Sequence, residues 1–265
     1  MTAKYRSSKL AKQKKKIRKW RIALVVVFIA VVLIGTSFWS RHDSMKISEI
    51  KFTELSYTNE DVLREIVFEE LNRTYLGLLS KSNSLIFPRQ KIKERILNDQ
   101  PSIKSVDLDF KGFKKILLEV EEYEPVARFC EGDDCYLLND EGYVFVKEPL
   151  INTNSFVTFR GNIEGDNLKN SFLDPKLFKS FIKVVEILNS DLDIEIVSVE
   201  ESENPIFEFK SRTGAIFLID KEDNMIDVIE NIKTVFLKEG INREQFENID
   251  YIDLRFGNKV FYRLK

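Results

Sequence analysis

Residues 22–39 (IALVVVFIAVVLIGTSFW) run for eighteen positions without a charged side chain. At the helical rise per residue they extend roughly 27 Å, about the thickness of a bilayer's hydrocarbon core, which predicts a transmembrane helix. The chain's two tryptophans flank the run, Trp20 before it and Trp39 at its end. Amphipathic rings favour the lipid headgroup zone, so the placement suits a span better than a buried core helix. A cleavable signal peptide shares the outline of a basic stretch followed by an apolar one. Here the basic stretch is long, the apolar run exceeds a typical signal core, and the exit sequence GTSFWS presents bulky Phe38 and Trp39. A signal anchor is the better reading.

Residues 1–21 hold ten of the 41 Lys and Arg residues and no acid, so residues 22–265 carry 31 basic against 43 acidic side chains. The formal net charge of -2 is therefore +10 in a short tail and -12 in the remainder. Lys and Arg resist translocation, and only Arg41 and Lys46 follow the span closely. The expected topology is type II: tail in the cytoplasm, residues 43–265 outside. A nucleic-acid partner is not expected, because no base-reading motif accompanies the tail, and attraction to anionic lipid explains it.

With 43% hydrophobic residues the chain can bury a core. Ten Gly and six Pro exclude collagen-like or low-complexity organisation. One histidine, His42, removes His-cluster metal sites.

Beyond the span, KISEIKFT (46–53) alternates as a strand. Thr58 and Asp61 resemble a capping pair for a helix with Val62, Leu63, Ile66, Val67 and Leu71 on its apolar side. A second helix begins near Pro88, uses Ile92, Ile96 and Leu97, and stops at Asn98 to Pro101. Val106, Leu108 and Phe110, then Ile116, Leu118 and Val120, alternate as two further strands. The order is β-α-α-β-β over 46–122. The stretch Asn72 to Phe87 between the helices is long and carries no assigned element.

Residues 123–265 are dominated by strands: CYLL and YVFV around an Asn-Asp-Glu-Gly turn, SFVTF, IEIVSV, IFEFK, AIFLI, IDYIDLRF and KVFYRL. Helices over Pro175 to Leu188 and Asp223 to Leu237 carry apolar residues at helical spacing, among them Phe178, Phe181, Ile226 and Ile232. The expected fold class is α+β: a single N-terminal transmembrane helix, a β-α-α-β-β domain, then a mostly antiparallel β domain with two flanking helices.

Three further segments complete a family pattern: Pro101, Ile103 and Val106; Glu122, Pro125, Val126 and Ala127; and Leu138, Asp140, Gly142, Val144 and Phe145. With the basic tail and the span, the chain resembles the FtsQ/DivIB cell-division family, whose first outer domain is a POTRA module. Phe113 to Lys115 and Tyr123 stand where that family has a Pro-Asn type turn and an Arg. The resemblance implies a non-enzymatic divisome scaffold at the septum of the cell (inner) membrane, with no cofactor. It also implies partners: FtsB/DivIC-like and FtsL-like bitopic proteins and, indirectly, the septal peptidoglycan synthase complex.

The last strand, KVFYRL, follows Gly257-Asn258, and Gly in the first central position permits the type II′ turn of a tight hairpin. A chain-terminal strand can be a sheet edge able to accept a partner's strand. Lys259, Arg263 and Lys265 would equally blunt an ordinary protected edge. The resemblance favours binding, since the family's D-L-R motif stands here as Asp253, Leu254 and Arg255. It nominates Arg255, Phe256, Val260, Phe261 and Tyr262 as partner-binding residues, with Arg255 offering a charged fork.

Cys130 and Cys135 frame a short loop and are compatible with a structural disulfide outside the membrane, or with reduced thiols. No metal site is expected, because zinc would need two further ligands. The acidic runs at Glu69–Glu70, Glu121–Glu124, Asp133–Asp134 and Glu200–Glu203 read as solvated faces; neighbouring acids do not build a glycosidase pair. Two rival functions remain open. A POTRA-bearing envelope assembly or secretion factor would need a membrane barrel that the remaining length and helices do not suggest. A membrane-anchored cell-wall hydrolase would need carboxylates brought together by the fold.

Overall fold

A computed structural model of the chain describes residues 3–40, 42–112, 114–148, 156–163, 165–203, 205–238, 241 and 243–265. Arg41, Phe113 and Ser155, which enter the reading above, lie outside the described residues. The chain divides into two compact units, Met1–Gln100 with Ser105–Glu121, and Pro101–Lys104 with Glu122–Lys265. Pro101–Lys104, which include the first two residues of a strand ending at Phe110, group with the second unit.

The first element is a continuous helix, α1 (Ala3–Ser40). Helical backbone continues through the basic tail, so the boundary at residue 21 is one of chemistry, not conformation. Lys14–Ser40 is long and apolar enough to cross a membrane, and none of its apolar window is buried by the rest of the protein. A core helix of a water-soluble protein would be covered by its neighbours.

The first unit continues with β1 (Glu49–Phe52), α2 (Glu60–Leu71), a small hairpin of β2 (Thr74–Tyr75) and β3 (Leu79–Ser80), α3 (Arg89–Asp99), β4 (Ile103–Phe110) and β5 (Lys115–Glu122). The sheet order is β1-β5-β4, with β1 parallel to β5 and Ile50 opposite Ile116. Ile50, Ile116 and Leu118 from the strands and Leu63, Val67, Ile92 and Ile96 from the helices are buried. Val62 and Leu97, expected on the apolar faces, are exposed. The cap of α2 is Asn59, not Thr58: the Asn59 side chain accepts from the Asp61 N–H at 2.8 Å. Thr58 is buried instead.

Glu70 corrects the reading of the acidic runs as solvated faces, because it is only 1% exposed. Arg73 at 2.8 Å, Arg95 at 3.3 Å, Lys91 at 3.6 Å and Lys81 at 3.8 Å surround its carboxylate. A buried charge is tolerated only when paired, and these cations tie the end of α2 to α3 and to the chain after β3.

The second unit holds β6 (Ala127–Glu131), β7 (Asp134–Leu138), β8 (Val144–Lys147), β9 (Thr158–Arg160), α4 (Pro175–Glu186), β10 (Ile196–Glu203), β11 (Ile206–Ser211), β12 (Ile216–Asp220), α5 (Met225–Lys233), a short α6 (Arg243–Glu247), β13 (Ile249–Phe256) and β14 (Lys259–Leu264). They form one mostly antiparallel sheet in the order β14-β13-β12-β11-β10-β9-β6-β7-β8, with parallel pairing at β6–β9, β9–β10 and β12–β13. Asp174 caps α4 through the Lys176 N–H at 3.0 Å, and Pro175 occupies the first turn, where its missing N–H goes unused. Both α4 and α5 run on into a wider π-type turn, Ile187–Asp191 and Thr234–Lys238.

One core joins these helices to the sheet. It takes Phe178, Phe181, Val184 and Val185 from α4, Val228 and Ile232 from α5, and alternate strand residues such as Phe207, Phe209, Phe217 and Ile219. Ile226, expected on the apolar face of α5, is exposed; Met225 is buried instead. The rings pack edge-on, Phe181 meeting Phe207 at 4.9 Å and Phe209 at 5.1 Å between centroids.

The β7–β8 turn is shaped by two residues. The Asn139 side-chain oxygen accepts from the Glu141 and Tyr143 N–H groups, each at 2.9 Å. Gly142 has φ 76, and a Cβ there would stand 2.8 Å from Phe178 Cγ. Gly142→Ala should therefore destabilise the second unit by about 2–4 kcal/mol through backbone strain and overpacking. Thermal melting of the detergent-solubilised chain checks this; an unchanged midpoint would contradict it.

Candidate functional site: the C-terminal sheet edge

Strands β13 and β14 form an antiparallel hairpin with Phe256 opposite Lys259, leaving Gly257-Asn258 as a two-residue loop. Gly257 has φ 61, the sign required in the first position of a type II′ turn. The Asn231 amide on α5 donates to the Gly257 carbonyl at 2.5 Å, pinning the turn to the helix layer.

Alternation along β13 sends Ile252 and Leu254 into the core and leaves Tyr251, Asp253 and Arg255 on the other face. β14 is the outermost strand of the sheet, with β13 as its sheet neighbour. Phe256, Phe261 and Tyr262 are 54%, 51% and 55% exposed. Phe256 and Phe261 meet edge to face at 5.2 Å beside an open groove of about 710 Å3, which Tyr251, Asp253, Asn258 and Lys259 also line. Phe261 pairs across to Asp253 and Tyr262 to Ile252, so the two aromatic residues point to opposite faces.

Two nominated residues are placed differently from expectation. Val260 packs partly buried against the core and so anchors the strand instead of facing outward. Arg255 does not present an open fork: its Nε donates to Asp253 Oδ1 at 2.7 Å and its Nη2 to Oδ2 at 2.5 Å. Two residues apart on one strand face, the pair closes on itself before any outside carboxylate can compete. Arg263 is likewise engaged, pairing with Asp250 and lying 4.6 Å over the Tyr251 ring. The Asp253 partner is the detail of this edge that sequence reading missed, although the i, i+2 spacing within the D-L-R motif carried the signal.

Cys130 and Cys135 are joined by a disulfide between directly opposed positions of β6 and β7. Acidic residues elsewhere are engaged by cations, Glu200 by Lys210 at 2.6 Å and Asp134 by Lys147 at 2.6 Å. Among the described residues no group of three or more His, Cys, Asp and Glu side chains is arranged to hold a metal ion. No protein-family model matches the chain, and comparison with curated proteins finds no relative.

Burial alone would raise the Asp253 carboxyl, but the hydrogen bonds and charge of Arg255 outweigh it and hold the group below its ordinary value near 3.8. A carboxyl with a depressed folded-state pKa contributes stability above its unfolded value, and that contribution fades as pH falls through the folded value. The melting-temperature gap between the wild type and Asp253→Asn should therefore be constant above about pH 5 and shrink below about pH 4. A gap independent of pH would show that the ion pair contributes nothing.

Proposed function

We propose that this chain is a non-enzymatic, single-pass membrane scaffold of the FtsQ/DivIB type. On this reading it recruits FtsB/DivIC-like and FtsL-like partners at the division septum and so helps coordinate septal peptidoglycan synthesis. The observation that carries the reading is β14, an outermost strand with two exposed aromatic residues on opposite faces, one tight turn after the strand that holds Asp253-Leu254-Arg255. The order β1-α2-α3-β4-β5 in the first unit, interrupted by the β2–β3 hairpin between the helices, with β5 central in its sheet, supports its reading as a POTRA module. The basic tail supports a cytoplasmic N-terminus and an ectodomain outside.

The mechanism is β-augmentation. A partner strand adds to the outer side of β14, its backbone groups taking the hydrogen bonds that the edge leaves to water, while Phe261 and Tyr262 grip it from either face. Arg255 acts from within: held by Asp253 and 5.9 Å from the Phe256 ring, it stiffens the ground beneath the aromatic contact.

Truncation after Phe256 should abolish co-purification of the partners from membranes. Because truncation also removes Val260 from the core, the double change Phe261→Ala, Tyr262→Ala is the cleaner variant. It should lower recovery at least about ten-fold, as loss of two aromatic anchors does elsewhere. Wild-type recovery by the double variant would contradict the proposal.

A further inference from the structure

We propose that the β2–β3 hairpin is a second membrane contact, a loop that dips into the headgroup–acyl boundary beside α1. The inference rests on α1 being a membrane span and is separate from the role of the C-terminal edge.

The hairpin is fastened to the last turns of α1 within the first unit. Ser37 Oγ donates to the Leu78 carbonyl at 2.5 Å, the Ser80 N–H donates to Ser40 Oγ at 3.3 Å, and the Asn83 amide donates to the Ser40 carbonyl at 3.1 Å. Ser37 lies inside the uncharged run, roughly 3 Å before Trp39 along the helix. The loop carrying Leu78 therefore sits level with the end of the apolar segment.

The loop's own residues break the rule for a water-facing turn. The Leu78 N–H donates to the Tyr75 carbonyl at 2.9 Å, and the two residues between, Leu76 and Gly77, have φ 51 and 74. The first of two such left-handed positions is ordinarily Asn, Asp or Gly. Here it is leucine, 97% exposed, the most exposed large apolar residue described. Leu78 is also exposed, and Tyr75 carries the amphipathic ring suited to the headgroup zone. A local rule broken at an apolar tip beside a span identifies lipid as the surface that covers it.

The test uses the full chain in phosphatidylcholine–phosphatidylglycerol vesicles, with its native disulfide intact. An environment-sensitive fluorophore is attached in turn at Leu76→Cys, Leu78→Cys, Val32→Cys within the span, and Val62→Cys on the exposed side of α2. Nitroxide-labelled lipid should quench positions 32, 76 and 78, with quenching at 76 at least about two-fold stronger than at 62. Quenching at 32 with 76 and 78 as solvent-like as 62 would overturn the hairpin proposal while leaving the span intact, and would point to a protein partner. A solvent-like signal at 32 would overturn the span and the hairpin contact together.

Discussion

For a chain whose first helix is long and apolar enough to cross a membrane, the hydrogen-bonding demand of a lipid interior is the governing constraint. No water reaches the hydrocarbon core, so each backbone N–H and C=O there must find a partner within the segment, and an isolated segment achieves this only as a helix. α1 meets the demand without interruption from Ala3 to Ser40, about 57 Å at the helical rise, which is nearly twice a hydrocarbon core. The surplus length is the basic end. On the proposed topology the ten cations keep that end inside, and the acidic excess of residues 22–265 belongs almost wholly to the opposite side. On that topology the near-neutral total never describes one surface.

The same backbone demand, in weaker form, recurs at the far end of the chain. A sheet edge in water leaves its outer groups solvated, and natural edges are usually blunted. β14 carries charges for that purpose at Lys259 and Arg263, yet it also exposes Phe261 and Tyr262. Arg263 is tied to Asp250 and stacked on Tyr251, which draws its charge back over β13 and away from the open edge. Such an edge is protected against indiscriminate pairing while keeping apolar contacts for a strand of matching side chains, the combination expected of a specific docking surface.

Much of this was legible from residue order alone. Periodicity located the long helices and most strands, and the terminal position of KVFYRL pointed to an edge. Strand β6 was missed because its alternation in ARFCE is short and runs into the acidic loop before Cys135. The hairpin at 74–80 was missed because its strands are two residues each and its turn uses leucine where turn chemistry expects a polar residue. Glu70 looked like any acid in a charged pair; only the meeting of α2 and α3 makes it a buried hub. Helix faces were right in period but off by a neighbour, Ile226 exposed and Met225 buried, since the packing partner and not spacing decides which flank is covered. At the candidate site the aromatic residues were foreseen and the ionic arrangement was not. Sequence names the charges, and strand geometry decides whether they meet each other or a stranger.

On the proposed function, the outer side of β14 is completed by another chain. Hydrogen exchange on the membrane-reconstituted protein, with and without the FtsB/DivIC-like partner, tests it most directly. The outward-pointing amides of β14, alternate residues within Lys259–Leu264, are expected to exchange rapidly in the chain alone and to become protected in the complex, with smaller changes in the inward-pointing β14 amides and in β13, which already pair with each other. Protection that appears elsewhere while the β14 amides stay as fast as before would contradict it.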